Sequence, residues 1–197
     1  MKQYTLPEKI YNSRMAGRIR RLHIRPMNGE EQNVAAHTWG LTMILLDLFP
    51  DISRDGLIFA IRHDVPEVVT GDIPANVKWA HPALEEALEQ REKEFLQKMG
   101  WKSEHTGVPS WEYENRYIKI ADRIELLFYC MEQMYLGNWL LADVYINVRD
   151  KLMEDIEGVS NKKMRAKIIA YVDAYSDYLA SNFSKKAVFP RDGLSIS

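Results

Sequence analysis

Four polar residues stand where the chain otherwise reads as buried helix: His37, His63, Asp64 and Asp122. His63 and Asp64 lie side by side in "RHDVPEVVTGDIPANVK" (62–78), directly after the apolar helical pattern "RDGLIFAI", and Pro66 follows two residues later. A proline inside a helix removes one backbone hydrogen bond and clashes with the preceding turn, at about 3 kcal/mol. A carboxylate among apolar residues is costly unless a partner or an ion neutralises it. Two local rules broken within a few residues mark a functional or strained site. Glu67 stands at i+4 from His63 and i+3 from Asp64, close to both if the helix continues. His37 falls on the apolar stripe Val34, His37, Leu41, Ile44, Leu45 and Leu48. Asp122 has Ile118 and Leu126 as its i±4 neighbours inside "YIKIADRIELLFYCMEQM". The same stretch carries a second apolar face through Tyr117, Ile120, Ala121, Ile124, Leu127, Phe128 and Met131, so its helix is central. Arg123 is not the partner of Asp122, because adjacent helical residues point about 100° apart. Singly, each of these residues reads as well as a satisfied core polar group. Together, two imidazoles and two carboxylates from three helical stretches form a ligand set for a divalent metal with open or water-filled positions. Helical bundles build metal centres in this way.

The elements that must position this set are nearly all helical. "TLPE" (Thr5 to Glu8) has capping-box form and starts a short helix. "RIRRLHIRPMNGEEQN" (18–33) reads as a turn-rich connector, and a second helix runs from about Val34 to Phe49. "PDISRDG" is a loop, a third helix carries "RDGLIFAI", and "TGDIPANVK" is another loop. "HPALEEALEQREKEFLQKMG" is an amphipathic helix closed by Gly100. "WKSEHTGVPS" is a surface loop. Long helices follow over about 111–136, 138–157 and 161–183. No strand run, internal repeat or low-complexity segment stands out. The reading is an all-α bundle of six to eight helices, with residues 1–183 as one domain and 184–197 as a tail.

Bulk properties narrow the function classes. The chain has 197 residues, 46% hydrophobic and 27% charged, with a net charge of −2. It is long enough for a real core. Its charge gives no global basic excess of the kind nucleic-acid binders show. Cys130 is the one cysteine, so an internal disulfide and a cysteine-rich zinc site are excluded. The N-terminus lacks an apolar signal core, and no uncharged run approaches the ~18 residues of a membrane span. A cytosolic, reducing setting is expected, with no nucleic-acid and no membrane partner.

The order His … His-Asp … Asp on helices resembles the HD-domain metal-dependent phosphohydrolases, and the likeness extends beyond the dyad. "NVAAHTWG" is similar to the family's Val-Ala-Glu-His-Ser segment, with Ala36 where Glu is usual and Thr38 for Ser. "HDVPEVVTGDIPANVK" closely resembles the corresponding run of the bacterial 5′-deoxynucleotidases, and "IKIADRIELL" their Lys-x-Ala-Asp segment. "RRLHIRPMNGEEQNVAAHTW" is similar to a phage-associated branch that includes dATP triphosphohydrolases, with Leu22 where Trp is more common. The resemblance implies an HD-domain bundle that holds one divalent ion (Co, Mn, Zn or Mg) on His37, His63, Asp64 and Asp122. It places Glu67 and Asp72 beside the attacked phosphorus as acid/base groups. It assigns phosphate to Lys78 and to an arginine of "RIRRLH", Arg20 or Arg21 first, with Arg18 and Arg25 as further cations that could neutralise phosphoryl oxygens. A side chain among Leu22, Ile24 and Trp39 would sit near the sugar and exclude a 2′-hydroxyl. Pro66 would end or bend its helix, so that Glu67 and the Gly71–Asp72 turn curl over the metal.

The implied activity is hydrolysis of 2′-deoxynucleotides, with dATP as the leading substrate and dADP and dAMP also accepted. The alternatives are a 5′-deoxynucleotidase that releases phosphate from deoxynucleoside monophosphates, and a non-catalytic metal-bound helical interaction module. The last fits less well, since a purely structural site needs no acid/base pair. Alarmone hydrolases carry an acidic residue where this chain has Val68, and the Gly-Tyr-Pro tripeptide of cyclic-dinucleotide phosphodiesterases is absent. The resemblance also implies a homo-oligomer, a dimer or larger, in the cytosol of a bacterium or of a phage-infected host.

Overall fold

The computed structural model describes residues 2–101 and 111–183. The loop expected over 101–110 (Trp101 apart) and the tail 184–197 lie outside them. Among the described residues the chain is helical without strands. Its helices are α1 (Leu6–Ala16), α2 (Val34–Leu48), α3 (Arg54–Arg62), α4 (Glu67–Thr70), α5 (Ala75–Ala80), α6 (Pro82–Met99), α7 (Trp111–Tyr135), α8 (Ala142–Glu157) and α9 (Lys162–Phe183), with a 3₁₀ turn at Trp139–Leu141. The seven longer helices agree with the all-α HD-type bundle expected from sequence. One boundary differs: "TGDIPANVK" is not loop throughout, because α5 starts in it after Pro74. Six residues are too few for a helical period to register in sequence.

Local chemistry sets the ends of the helices that carry the site. Asn33 caps α2 by accepting the Ala36 N–H at 2.9 Å. Ser53 caps α3 by accepting the Gly56 N–H at 3.0 Å, and its hydroxyl donates to the buried Glu114 of α7 at 2.7 Å. α3 stops at Arg62, immediately before the His63–Asp64 pair. From there Val65 bonds back to Arg62, Glu67 to Asp64, Val68 to Val65 and Val69 to Pro66, all in the tighter i to i−3 pattern. Pro66 supplies no N–H, so the α-helical ladder cannot run through it. Gly71, at φ 76°, then turns the chain away. The bend expected at Pro66 is present and begins slightly earlier than expected.

α7 is the axis of the molecule. Ile120, Ala121, Ile124 and Leu127 pack with Leu41 and Leu45 of α2, Ala60 of α3, Leu152 and Ile156 of α8, and Ile168 and Val172 of α9. Truncating one such residue, as in Leu45→Ala, costs about 2–5 kcal/mol. This core fixes the rotation of α2 and α7 and so aims the polar residues between them. The connector 18–33 crosses the bundle as irregular chain, held by an isolated antiparallel bridge between Arg20 and Asn33. No helix of the described residues is long and apolar enough to cross a membrane.

Candidate metal centre

His37 is fully buried on α2, and α7 grips both nitrogens of its ring. Nδ1 donates to Glu125 Oε2 in a short hydrogen bond, and Nε2 lies 2.9 Å from Asp122 Oδ1. Asp122 and Glu125 are three residues apart, the spacing that puts two side chains on one helical face. Glu125 comes this close because position 40 is glycine. A Cβ there would stand 2.9 Å from Glu125 Cγ. From the bend after α3, His63 turns its Nδ1 to the Ala60 carbonyl at 2.7 Å. A carbonyl only accepts, so Nδ1 carries the proton and Nε2 presents a lone pair. That Nε2 is 3.1 Å from Asp64 Oδ1 and 4.0 Å from Asp122 Oδ1. Asp64 Oδ2 in turn lies 3.5 Å from His37 Nε2. His37, His63 and Asp64 each offer a ligand atom within 4.8 Å of the others.

These residues fit a divalent ion. His37 Nε2 is buried and faces two carboxylate oxygens, Asp122 Oδ1 at 2.9 Å and Asp64 Oδ2 at 3.5 Å. Two imidazole nitrogens beside two carboxylates are the donor set that a divalent ion takes. The partners behind the ligands follow the usual pattern, with Glu125 holding one imidazole and a backbone carbonyl the other.

The electrostatics show a site short of positive charge. Burial and the neighbouring Arg21 pull His37 down, but its bonds to Asp122 and Glu125 prevail and raise it to about 9. Burial works to raise Asp122, but the His37 hydrogen bond and charge hold it well below the usual carboxylate range. Glu67 is pushed up to about 9, first by burial and then by the Asp64 carboxylate, and its Oε2 is buried without a partner. Burial alone would lower Arg21, yet Asp64, Asp122, Glu67 and Asp72 raise it. A cation in the cluster would take over the role that the extra proton on His37 plays here.

The residues expected at the site are placed unevenly. Arg21 enters it, donating from Nη1 to Asp64 Oδ2 at 2.5 Å. Lys78 is close enough to act on both Glu67 and Glu92. Asp72 accepts the backbone N–H of Leu22 at 2.8 Å, and Leu22 sits at φ 53°, a left-handed conformation unusual for leucine. The Leu22 side chain packs on the small cluster of Tyr129, Cys130 and Leu141. Arg20 turns outward to an ion pair with Glu31, Ile24 is 58% exposed, and Trp39 is 70% exposed on a face of α2 about 200° from His37. None of these three is brought to the cluster. Sequence reasoning passed over Glu125 and gave no role to Gln32, which donates from Nε2 to Glu125 Oε1 at 2.7 Å. A second carboxylate at i+3 from Asp122, on a helix apolar nearly all round, was the available signal for Glu125. Gln32 stands in the segment "RRLHIRPMNGEEQNVAAHTW", where the likeness to the phage-associated branch was its one signal.

Comparison with known proteins gives the family and the fold. The profile of the 5′-deoxynucleotidase YfbR-like family matches residues 11–175. No curated protein sequence matches the chain. Among solved structures, the chain is similar to a cyanophage S-2L HD phosphohydrolase (DatZ) bound to dA and one catalytic Zn²⁺ ion. The TM-score is 0.64 at 18% identity, over 92% of this chain and 99% of that one. It is also similar to the PH0347 protein from Pyrococcus horikoshii OT3, with a TM-score of 0.58 at 20% identity, over 87% and 99%. At these identities the two structures bear on the fold alone.

Proposed function

The chain belongs to the 5′-deoxynucleotidase YfbR-like family of deoxynucleotide hydrolases, and from that premise we propose that it cleaves the ester between the 5′ oxygen and the α-phosphorus of 2′-deoxynucleotides, dATP first, with dADP and dAMP also accepted. The observation that carries the reading is the convergence of His37, His63, Asp64 and Asp122, with the unpartnered Glu67 carboxyl beside them. The four residues would hold one divalent ion, Co, Mn, Zn or Mg. The chemistry supplied by such an ion is polarisation of a phosphoryl oxygen and a lowered pKa for its water. Arg21 fixes the orientation of Asp64 and brings positive charge to the phosphoryl oxygens. Lys78 adds a second cation. Glu67 moves the proton: the water oxygen bonds to phosphorus, the bond to the 5′ oxygen breaks, the protonated Glu67 gives its proton to that oxygen, and the proton lost by the water restores it. Asp72 acts beside it by shaping the loop over the site. Exclusion of ribonucleotides belongs to the connector around Leu22, where a 2′-hydroxyl would meet packed chain with no partner. The binding of dA in the cyanophage protein supports an adenine deoxynucleoside as the group recognised. Residues 1–183 would form the phosphohydrolase domain, working as a homo-oligomer in the cytosol of a bacterium or of a phage-infected host.

A second reading, a 5′-deoxynucleotidase acting on monophosphates, has its own support. Arg20 is engaged by Glu31, and Arg25 by Asp143 and the Leu140 carbonyl. Arg21 bonds Asp64 in the cluster and Lys78 acts on Glu67 beside it, which suits a short phosphate chain. The test is a product assay on dAMP, dATP, dGTP and ATP with added Mn²⁺ or Co²⁺, resolving phosphate from tripolyphosphate. Deoxyadenosine plus tripolyphosphate from dATP is expected. Activity on dAMP alone selects the second reading, and faster hydrolysis of ATP than dATP refutes the deoxy preference.

A further inference from the structure

The connector meets α7 at one residue whose main chain and side chain both lead to the metal centre. The two ends of the connector pair with each other. Arg21 N–H donates to the Gln32 carbonyl at 2.9 Å and Val34 N–H to the Ile19 carbonyl at 2.9 Å, around the bridge of Arg20 with Asn33. Gln32 N–H reaches across to the Tyr129 hydroxyl of α7 at 3.3 Å. Both backbone groups of Gln32 are thus engaged, so its buried side chain starts from a fixed origin. That side chain ends on Glu125, where Nε2 donates to Oε1 at 2.7 Å. A carboxylate only accepts, so the amide has one useful orientation there.

The pair does more than fill space. Glu125 Oε2 accepts from His37 Nδ1, so the connector holds one oxygen of the carboxylate and the imidazole the other. The terminal torsion of a glutamate is broad and soft. Pinned at both oxygens, this carboxylate cannot turn about it, and the imidazole it grips keeps its plane. His37 Nε2 then stays 2.9 Å from Asp122 Oδ1 and 3.5 Å from Asp64 Oδ2. Gly40 points the same way. It lies inside α2, where glycine is the least favourable residue after proline. A Cβ there would stand 2.9 Å from Glu125 Cγ and 3.1 Å from Oε1. The helix forgoes stability at the position that lets the carboxylate sit where amide and imidazole both reach it. The Gln32 main chain adds a second route, since the Arg21 whose N–H it accepts bonds Asp64 at 2.5 Å.

We propose that Gln32 is a positioning residue for the metal centre: its amide fixes the Glu125 carboxylate and, through it, the direction in which His37 presents Nε2. The partners behind metal ligands set ligand orientation and affinity, and Gln32 extends that arrangement by one hydrogen bond, from α7 into the connector. Its effect on metal affinity rests on the proposed site for a divalent ion. Its effect on the imidazole does not.

Gln32→Met keeps the length of the side chain and removes its N–H donors. Proton NMR of the metal-free full chain reads the His37 Nδ1–H directly. The parent should show this proton as a slowly exchanging, strongly downfield resonance, and Gln32→Met should move it upfield or broaden it by exchange with water. Calorimetric titration with Zn²⁺ should give an affinity about fivefold or more below the parent, short of the loss expected for Glu125 itself. Made in a Glu125→Gln chain, the same substitution should change Zn²⁺ affinity by less than about twofold, because the two residues act as one unit. An unchanged resonance, an unchanged affinity, or an equal loss in both backgrounds would overturn the assignment, the last by making Gln32 a packing residue. Should circular dichroism show that Gln32→Met does not fold, Gln32→Asn, which withdraws the amide from Glu125 by one methylene, carries the same expectations. Failure of the parent to bind Zn²⁺ overturns the metal centre and leaves Gln32 to be judged by the resonance.

Discussion

His37, His63, Asp64 and Asp122 converge from α2, the bend after α3 and α7, whereas Arg21 is the one residue among Arg20, Arg21, Leu22 and Ile24 of the connector whose side chain reaches the cluster. The difference lies in what fixes direction. A helical residue is aimed by the apolar neighbours that bury its helix, so Val34, Leu41 and Leu45 settle where His37 points. A connector residue is aimed by single hydrogen bonds, and each can send it elsewhere. Asp72 takes the Leu22 N–H and imposes a left-handed backbone, and Glu31 takes the Arg20 side chain.

The largest effect in this comparison belongs to Glu67→Gln. It keeps the shape of the side chain and removes the proton carrier, so turnover should fall by about a hundredfold or more while metal binding persists. Single-turnover kinetics beside metal titration checks it, and unchanged turnover would make Glu67 a structural group. Glu125→Gln comes next. It leaves His37 in place but weakens the group behind it, and metal affinity should drop about 10- to 100-fold. An unaltered affinity would mean that core packing alone aims the imidazole.

Asp72 sharpens the connector side. If it acts by holding Leu22, then Asp72→Asn, which retains an oxygen acceptor, should keep kcat within about threefold. Asp72→Ala should raise KM about tenfold, as a hydrogen bond to a charged group worth about 1.5–3 kcal/mol is lost. A large kcat loss in the Asn variant would return Asp72 to acid/base work. The smallest effect is expected for Arg20→Ala. Its exposed ion pair with Glu31 contributes about 0–1 kcal/mol, and steady-state parameters should stay within about twofold.

The fold was readable because α2 and α7 have strong apolar periods, and because Thr5–Glu8 and Gly100 punctuate helices in recognisable ways. α5 escaped because six residues carry no period. At the site, His37 and Asp122 stood out as polar residues in apolar stripes, and Pro66 flagged the bend. Glu125 is polar in the same kind of stripe and could have been found by asking what bonds the far nitrogen of His37. The outward turn of Arg20 and the backbone of Leu22 depend on partners 11 and 50 residues away, and no local pattern encodes them.

The central claim is a single ion held by His37, His63, Asp64 and Asp122, and calorimetric titration of Mn²⁺ or Zn²⁺ across pH tests it most directly. One ion per chain is expected. His37 is raised to about 9 in the metal-free molecule, so below that pH the ion must displace its proton. Affinity should therefore climb with pH and level off near 9, with about one proton released per ion at pH 7. Asp122→Asn should lower affinity by more than about a hundredfold, beyond the loss expected for a partner standing behind a ligand. Full occupancy in Asp122→Asn, or a stoichiometry other than one, would contradict the assignment.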